Sequence, residues 1–78
     1  MPTVLRVKGY RFFFFSNEMN EPTHIHIESS EKYAKFWLEP VALAGNIGFR
    51  PSELTEIRNI IIENRRTIRE RWNEHFTC

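Results

Sequence analysis

The run His24-Ile25-His26-Ile27-Glu28 carries the side chains of this sequence best suited to chemistry. Two imidazoles and a carboxylate, separated by single isoleucines, can bind a metal ion, move protons or hold an anion. The alternation is that of a β-strand, whose side chains point to opposite faces with period two. Ile25 and Ile27 are expected in a core, with His24, His26 and Glu28 lining the other face.

The next strand supplies neighbours. Tyr33–Leu38 reads as a strand joined to the first through Ser29–Lys32. A hairpin centred between Ser30 and Glu31 pairs Glu28 with Tyr33, His26 with Lys35 and His24 with Trp37. The same register gathers Ile25, Ile27, Ala34 and Phe36 on the opposite face, and agreement of the two hydrophobic alternations fixes it. Upstream, Val4–Val7 and Tyr10–Phe15 flank Lys8-Gly9, a two-residue turn with Gly supplying positive φ. That turn pairs Val7 with Tyr10 and sets Arg6 opposite Arg11. The pattern leaves open how this hairpin lies against the next.

The face expected to be open holds His24, His26 and Lys35 as candidate catalytic groups. Arg6, Arg11, Glu28 and Trp37 are the candidate substrate-binding groups. Arginine forks suit phosphate oxygens, and aromatic faces stack bases. Imidazoles near neutrality serve as general acid and base, which metal-free RNA cleavage requires. A metal hydrolase is the rival chemistry, with His24 and His26 sharing an ion and Glu28, Glu18 or Glu21 as third ligand. Lys35 opposite His26 argues against a cation there, and no metal or cofactor is assigned. The plainest alternative is a sheet face that is simply wet.

Other features carry less. The tetrad Phe12–Phe15 must send two rings to each sheet face, so one pair lies outside the helix-packed core and suits a partner or dimer surface. Arg65, Arg66, Arg69 and Arg71 read as a solvated helix end paired with Glu63, Glu70 and Glu74. Ser16–Thr23 is polar and turn-forming, and it precedes the His strand, where loops collect functional side chains.

The elements that must position these groups follow from pattern. Val41–Asn46 is expected as a short helix stopped by Gly45 and Gly48. Pro51-Ser52-Glu53 announces a long helix with Ser52 as N-cap. Leu54, Ile57, Ile61, Ile68 and Trp72 then recur on one helical face. The expected architecture is α+β: a four-stranded, mostly antiparallel sheet of two hairpins, a short helix, and a long C-terminal amphipathic helix packed on one sheet face.

Composition bounds the rest. The 78 residues make one domain, and 41% hydrophobic with 14% aromatic residues suffice for a packed core. A formal charge of +1 gives no overall case for nucleic acid or an anionic membrane. Cys78, the single cysteine, excludes an internal disulfide and a cysteine-rich zinc site, so a reducing cytoplasm is expected. No apolar run approaches the ~20 residues of a membrane span. Gly-rich phosphate loops, Ser or Cys nucleophile motifs and dinucleotide fingerprints are absent.

Several segments in order carry a family resemblance: Met1–Arg6, Gly9–Phe14, Ser16-Asn17-Glu18, and Asn20-Glu21-Pro22 through His24–Ile27. Ala34–Pro40, Gly48-Phe49 and Trp72–Phe76 continue it. Together they resemble the bacterial domain of unknown function family 4160, over almost the whole chain. The family's Pro-x-His-x-His pattern is filled by Pro22, His24 and His26. The resemblance implies a small cytoplasmic prokaryotic protein encoded beside a partner of the domain of unknown function family 2442. That arrangement looks like a type II toxin–antitoxin pair with this family as toxin. It brings no established catalytic residues. The residues and the resemblance together give three functional expectations: an RNA-directed toxin, a non-catalytic module that binds the partner or dimerises, and a metal-dependent hydrolase using His24 and His26.

Overall fold

The computed structural model describes residues 3–15 and 20–76. Its elements are β1 (Thr3–Val7), β2 (Tyr10–Phe13), β3 (His24–Ser29), β4 (Lys32–Leu38), β5 (Val41–Ile47), α1 (Pro51–Glu63) and α2 (Arg65–Phe76). The strands form one five-stranded antiparallel sheet in chain order. Both hairpin registers match expectation: Val7 faces Tyr10, Arg6 faces Arg11, and His24, His26 and Glu28 face Trp37, Lys35 and Tyr33. Lys8 (φ 53°) and Gly9 (φ 82°) both take the positive φ that a tight hairpin turn of this kind demands. The remaining register is set by β2 against β3, with Arg11 opposite Glu28 and Phe13 opposite His26.

Val41–Ile47 is a fifth strand, not a short helix. A helix of one or two turns fixes many dihedrals for few hydrogen bonds and is marginal by itself. Pairing this segment with β4 instead satisfies the second backbone edge of a strand whose Ala34, Phe36 and Leu38 are buried. The cost is a bulge at Ala44, between the pairs Lys35–Gly45 and Phe36–Leu43. Beyond β5 the Asn46 side chain clamps the bend, donating from Nδ2 to the Phe49 carbonyl and accepting from the Phe49 N–H, both at 3.1 Å. Gly48 has φ +92°, and a Cβ there would stand 3.3 Å from Lys32 Cγ.

The expected long helix is two. Asn64 ends α1, its N–H reaching the Ile60 carbonyl at 3.0 Å and its Nδ2 donating to the same oxygen at 2.9 Å. Its own carbonyl accepts from Ile68 N–H at 3.0 Å and so opens α2. The polar run Glu63–Thr67 offers nothing to bury, so the spacing of seven between Ile61 and Ile68 spans a break rather than two continuous turns. Arg50, not Ser52, precedes the first helical residue, because Pro51 takes the N1 position where its missing N–H is harmless. Glu53 at N3 accepts from the Arg50 N–H at 2.9 Å.

One buried cluster joins Phe12, Phe14, Ile25, Ile27, Ala34 and Phe36 to Ile57, Ile60, Ile61, Ile68 and Trp72 of the helices. A polar bond crosses the same contact. The Tyr10 hydroxyl donates to Glu56 Oε1 at 2.8 Å, and Lys8 Nζ lies 3.3 Å from Oε2. Burial first, then the bond to Glu56 and its charge, pushes the Tyr10 phenol up to about 12. Its hydroxyl, and then Lys8, holds Glu56 below the usual carboxylate range. The Arg50 backbone N–H and then Lys32 do the same for Glu53.

Two consequences can be measured. Phe12 is fully buried, so Phe12→Ala should lower the unfolding free energy by about 3–5 kcal/mol in urea titrations. Stability should also fall at both pH extremes. On the alkaline side the unfolded Tyr10 ionises from about pH 10, while the folded phenol holds its proton to about 12. The native state then binds more protons and stability declines as pH rises through that window. Glu53 and Glu56 have lowered folded values, so their contribution is present at neutral pH and lost as pH falls through the carboxylate range. Urea midpoints across pH should show this dome, and Tyr10→Phe should flatten its alkaline limb.

Candidate functional site

The sheet places the expected site residues in adjacent rows. Arg6, Arg11, Glu28 and Tyr33 form one row across β1–β4, and Phe13, His26 and Lys35 form the next. His24 and Trp37 form a third. This convergence was legible from parity once the β2–β3 register is known.

Burial differs from expectation. His24 is 0% exposed and His26 3%, so the imidazoles lie beneath the surface rather than on an open face. Phe13 is also buried and only Phe15 of that pair is exposed. These rings supply the cover: Phe15 meets His26 edge-on at 4.4 Å, and Phe13 lies 5.5 Å from it. Tyr33 stacks on the other side at 5.7 Å. His24 is enclosed by Trp37 at 5.7 Å and by Trp72 of α2 at 5.0 Å. A chain of this length has few aliphatic residues to spare, and its aromatic rings build a second apolar layer here.

Each imidazole is oriented through Nδ1. His24 donates Nδ1–H to the Pro22 carbonyl at 2.8 Å. A carbonyl can only accept, so this bond fixes the tautomer and leaves Nε2 as the basic nitrogen of the neutral ring. Glu21 Oε1 stands 3.7 Å from the same Nδ1. His26 Nδ1 shares a 2.5 Å hydrogen bond with the Tyr33 hydroxyl. The two ring centroids are 5.0 Å apart and the planes nearly perpendicular, at 89°. Tyr33 is expected on this face, opposite Glu28, but without an assigned role at the site. Its signal was present, since the residue opposite Glu28 is a diagonal neighbour of His26 within reach of a long aromatic side chain.

Lys35 and Arg11 are held by carboxylates. Lys35 Nζ lies 2.6 Å from Glu21 Oε1 and 4.6 Å above the Trp37 ring. Arg11 donates to Glu28 Oε1 at 2.9 Å and to Thr3 Oγ1 at 2.8 Å, with its guanidinium 4.5 Å over Phe13. Arg6 is exposed and lines a shallow cleft of about 350 Å³ with Gly9, Arg11, Glu28, Ser29 and Ser30. Glu28 therefore neutralises Arg11 and does not join the imidazoles. Among the described residues no three His, Cys, Asp or Glu side chains are grouped to hold a metal ion. Glu18, offered above as a third ligand, lies outside the described residues. The arginines of α2 stand apart from this site: Arg66 pairs with Glu70 at 3.4 Å, and Arg69 pairs with Glu39.

Fold and site define a small α+β protein whose sheet carries a buried, oriented imidazole pair under aromatic cover. The chain belongs to the family described as a domain of unknown function (DUF4160), whose model matches residues 9–73. No curated protein and no solved structure matched it. Among the described residues no helix is long and apolar enough to cross a membrane.

The hydrogen bonds make the site testable. Tyr33→Phe leaves a buried imidazole nitrogen without its hydroxyl and should cost about 1–3 kcal/mol of stability. Imidazole ¹⁵N spectra should show His24 protonated at Nδ1 in both proteins, while only the His26 signals shift in the variant.

Proposed function

We propose that this chain acts on RNA by metal-free acid–base chemistry centred on His26. The observation that carries this reading is the 2.5 Å bond between His26 Nδ1 and the Tyr33 hydroxyl, beside Lys35 in the same row. In the protonated ring Nδ1–H donates to the Tyr33 oxygen, and Nε2–H is the general acid, leaving a neutral imidazole once its proton is given up. In a transesterification the 2′-oxygen attacks phosphorus while Nε2–H protonates the departing 5′-oxygen. The 2′-hydroxyl proton passes to solvent, and the products are a 2′,3′-cyclic phosphate and a 5′-hydroxyl. Lys35 exchanges Glu21 for a phosphate oxygen, and Arg11 and Arg6 receive the next phosphate. Trp37 offers a face for a base. His24, fully enclosed and tied to Pro22, is a positioning residue. The Phe15 ring swings aside to admit the substrate while Tyr33 keeps its bond to His26. The family resemblance adds the setting: the toxin of a toxin–antitoxin-like pair, restrained by a small partner of the family 2442 type, in the cytoplasm.

A second reading has its own observation. Lys35 and Arg11 already sit against carboxylates, so the rim presents matched charges with Trp37, Tyr33 and Phe15 as aromatic anchors. Protein interfaces favour that composition, and on this reading the face docks the partner without catalysis.

Purified protein incubated with an RNA oligonucleotide in a chelator separates these readings. Under the first, cleavage leaves cyclic-phosphate ends and His26→Ala, still folded by circular dichroism, slows it about 10²–10⁴-fold. A folded His26→Ala protein that cleaves at the wild-type rate overturns it. Cleavage only on adding zinc or manganese would point to the metal-dependent alternative. Under the second reading there is no cleavage, and Trp37→Ala weakens partner binding by about 2 kcal/mol.

A further inference from the structure

The two edges of the sheet are β1 and β5, and they differ in protection. An edge strand presents unpaired backbone groups to any strand that can approach, and proteins blunt such edges with charge, Pro or a bulge. β1 carries Arg6, a bulge at Val4 and the adjoining Lys8. β5, Val-Ala-Leu-Ala-Gly-Asn-Ile, has no charged residue over its seven positions and only the bulge at Ala44. It also exposes apolar side chains of both parities. Leu43, in register with Phe36 of the core row, is 46% exposed, and Ile47, in register with Tyr33, is 66% exposed.

We propose that β5 pairs antiparallel with β5 of a second copy of this chain, making a continuous ten-stranded sheet across a two-fold axis near Ala44. Self-pairing requires a strand that does not repel itself, and an uncharged one meets that condition. The flanks decide direction. Glu39, which also pairs with Arg69 of its own chain, precedes β5 and Arg50 follows it, so antiparallel pairing lays the acidic end of one strand along the basic end of the other. A parallel arrangement would bring like charges together. An axis at Ala44 also sets Val41 against Ile47 and Leu43 against Gly45, an apolar pair and a large residue beside one with no side chain. The inference is independent of any chemistry at His26.

The test is the mass of the full chain in solution by sedimentation equilibrium, with hydrogen exchange of the β5 amides at two concentrations. At about 100 µM the protein should have twice the mass of one chain, and β5 amides should exchange faster on dilution. Leu43→Lys should weaken the dimer at least about tenfold, whereas Ile62→Lys, an exposed change on α1, should leave it intact. Thermal melts check that both variants fold. A monomer at every concentration overturns the proposal. So does a dimer whose β5 exchange is indifferent to dilution, or one that Leu43→Lys does not weaken. A monomer that gives up β5 exchange only to a different protein would show that the edge serves another occupant.

Discussion

Everything in this small domain depends on β3 being buried on both faces. Its period-two alternation sends Ile25 and Ile27 into the helix-side core and His24 and His26 into a second layer, all at or near zero exposure. An imidazole taken out of water must find hydrogen bonds inside the protein. The Pro22 carbonyl and the Tyr33 hydroxyl are those partners. Neighbouring side chains then fall into place around that need: β4 must stand in a register that brings Tyr33 near His26, and the chain before β3 must bend so that Pro22 faces back on His24.

The same economy explains why the sheet grew to five strands. With β4 buried through Ala34, Phe36 and Leu38, its second edge had to be paired. β5 does that work and becomes the new edge in turn, carrying its exposure outward to Leu43 and Ile47. On the helix side, Asn64 divides the apolar stripe so that α1 contributes Ile57, Ile60 and Ile61 while α2 brings Ile68 and Trp72 into the same core. Trp72 also reaches His24, so the second helix touches the imidazole layer as well as the main core. The candidate site is therefore tied mechanically to α2 through one indole.

Legibility varied with the range of the interaction. Hairpin registers depend on residues a few positions apart and on a turn, and Lys8-Gly9 and Ser30-Glu31 fixed them from the text of the chain. Parity likewise announced which side chains share a row. Val41–Ile47 misled because its local pattern suits a short helix, whereas its conformation is imposed by the unpaired edge of β4. The break at Asn64 was hidden by a spacing of seven, which a continuous helix and a kinked pair both satisfy. Burial of the site was the largest difference, since alternation says which face a residue takes and nothing about what covers that face.

By itself the sequence determined the alternation of the His strand, the partners opposite each imidazole and the amphipathic character of the C-terminal third. Those features follow from backbone geometry and nearest-neighbour chemistry, which are local. Tertiary structure decided that Glu28 serves Arg11 and Glu21 serves Lys35, that Tyr33 orients His26, and that rings from β2, β4 and α2 close over the pair. Each of those depends on how separate elements fill the same space, and volume is a property of the assembled fold rather than of any stretch of chain.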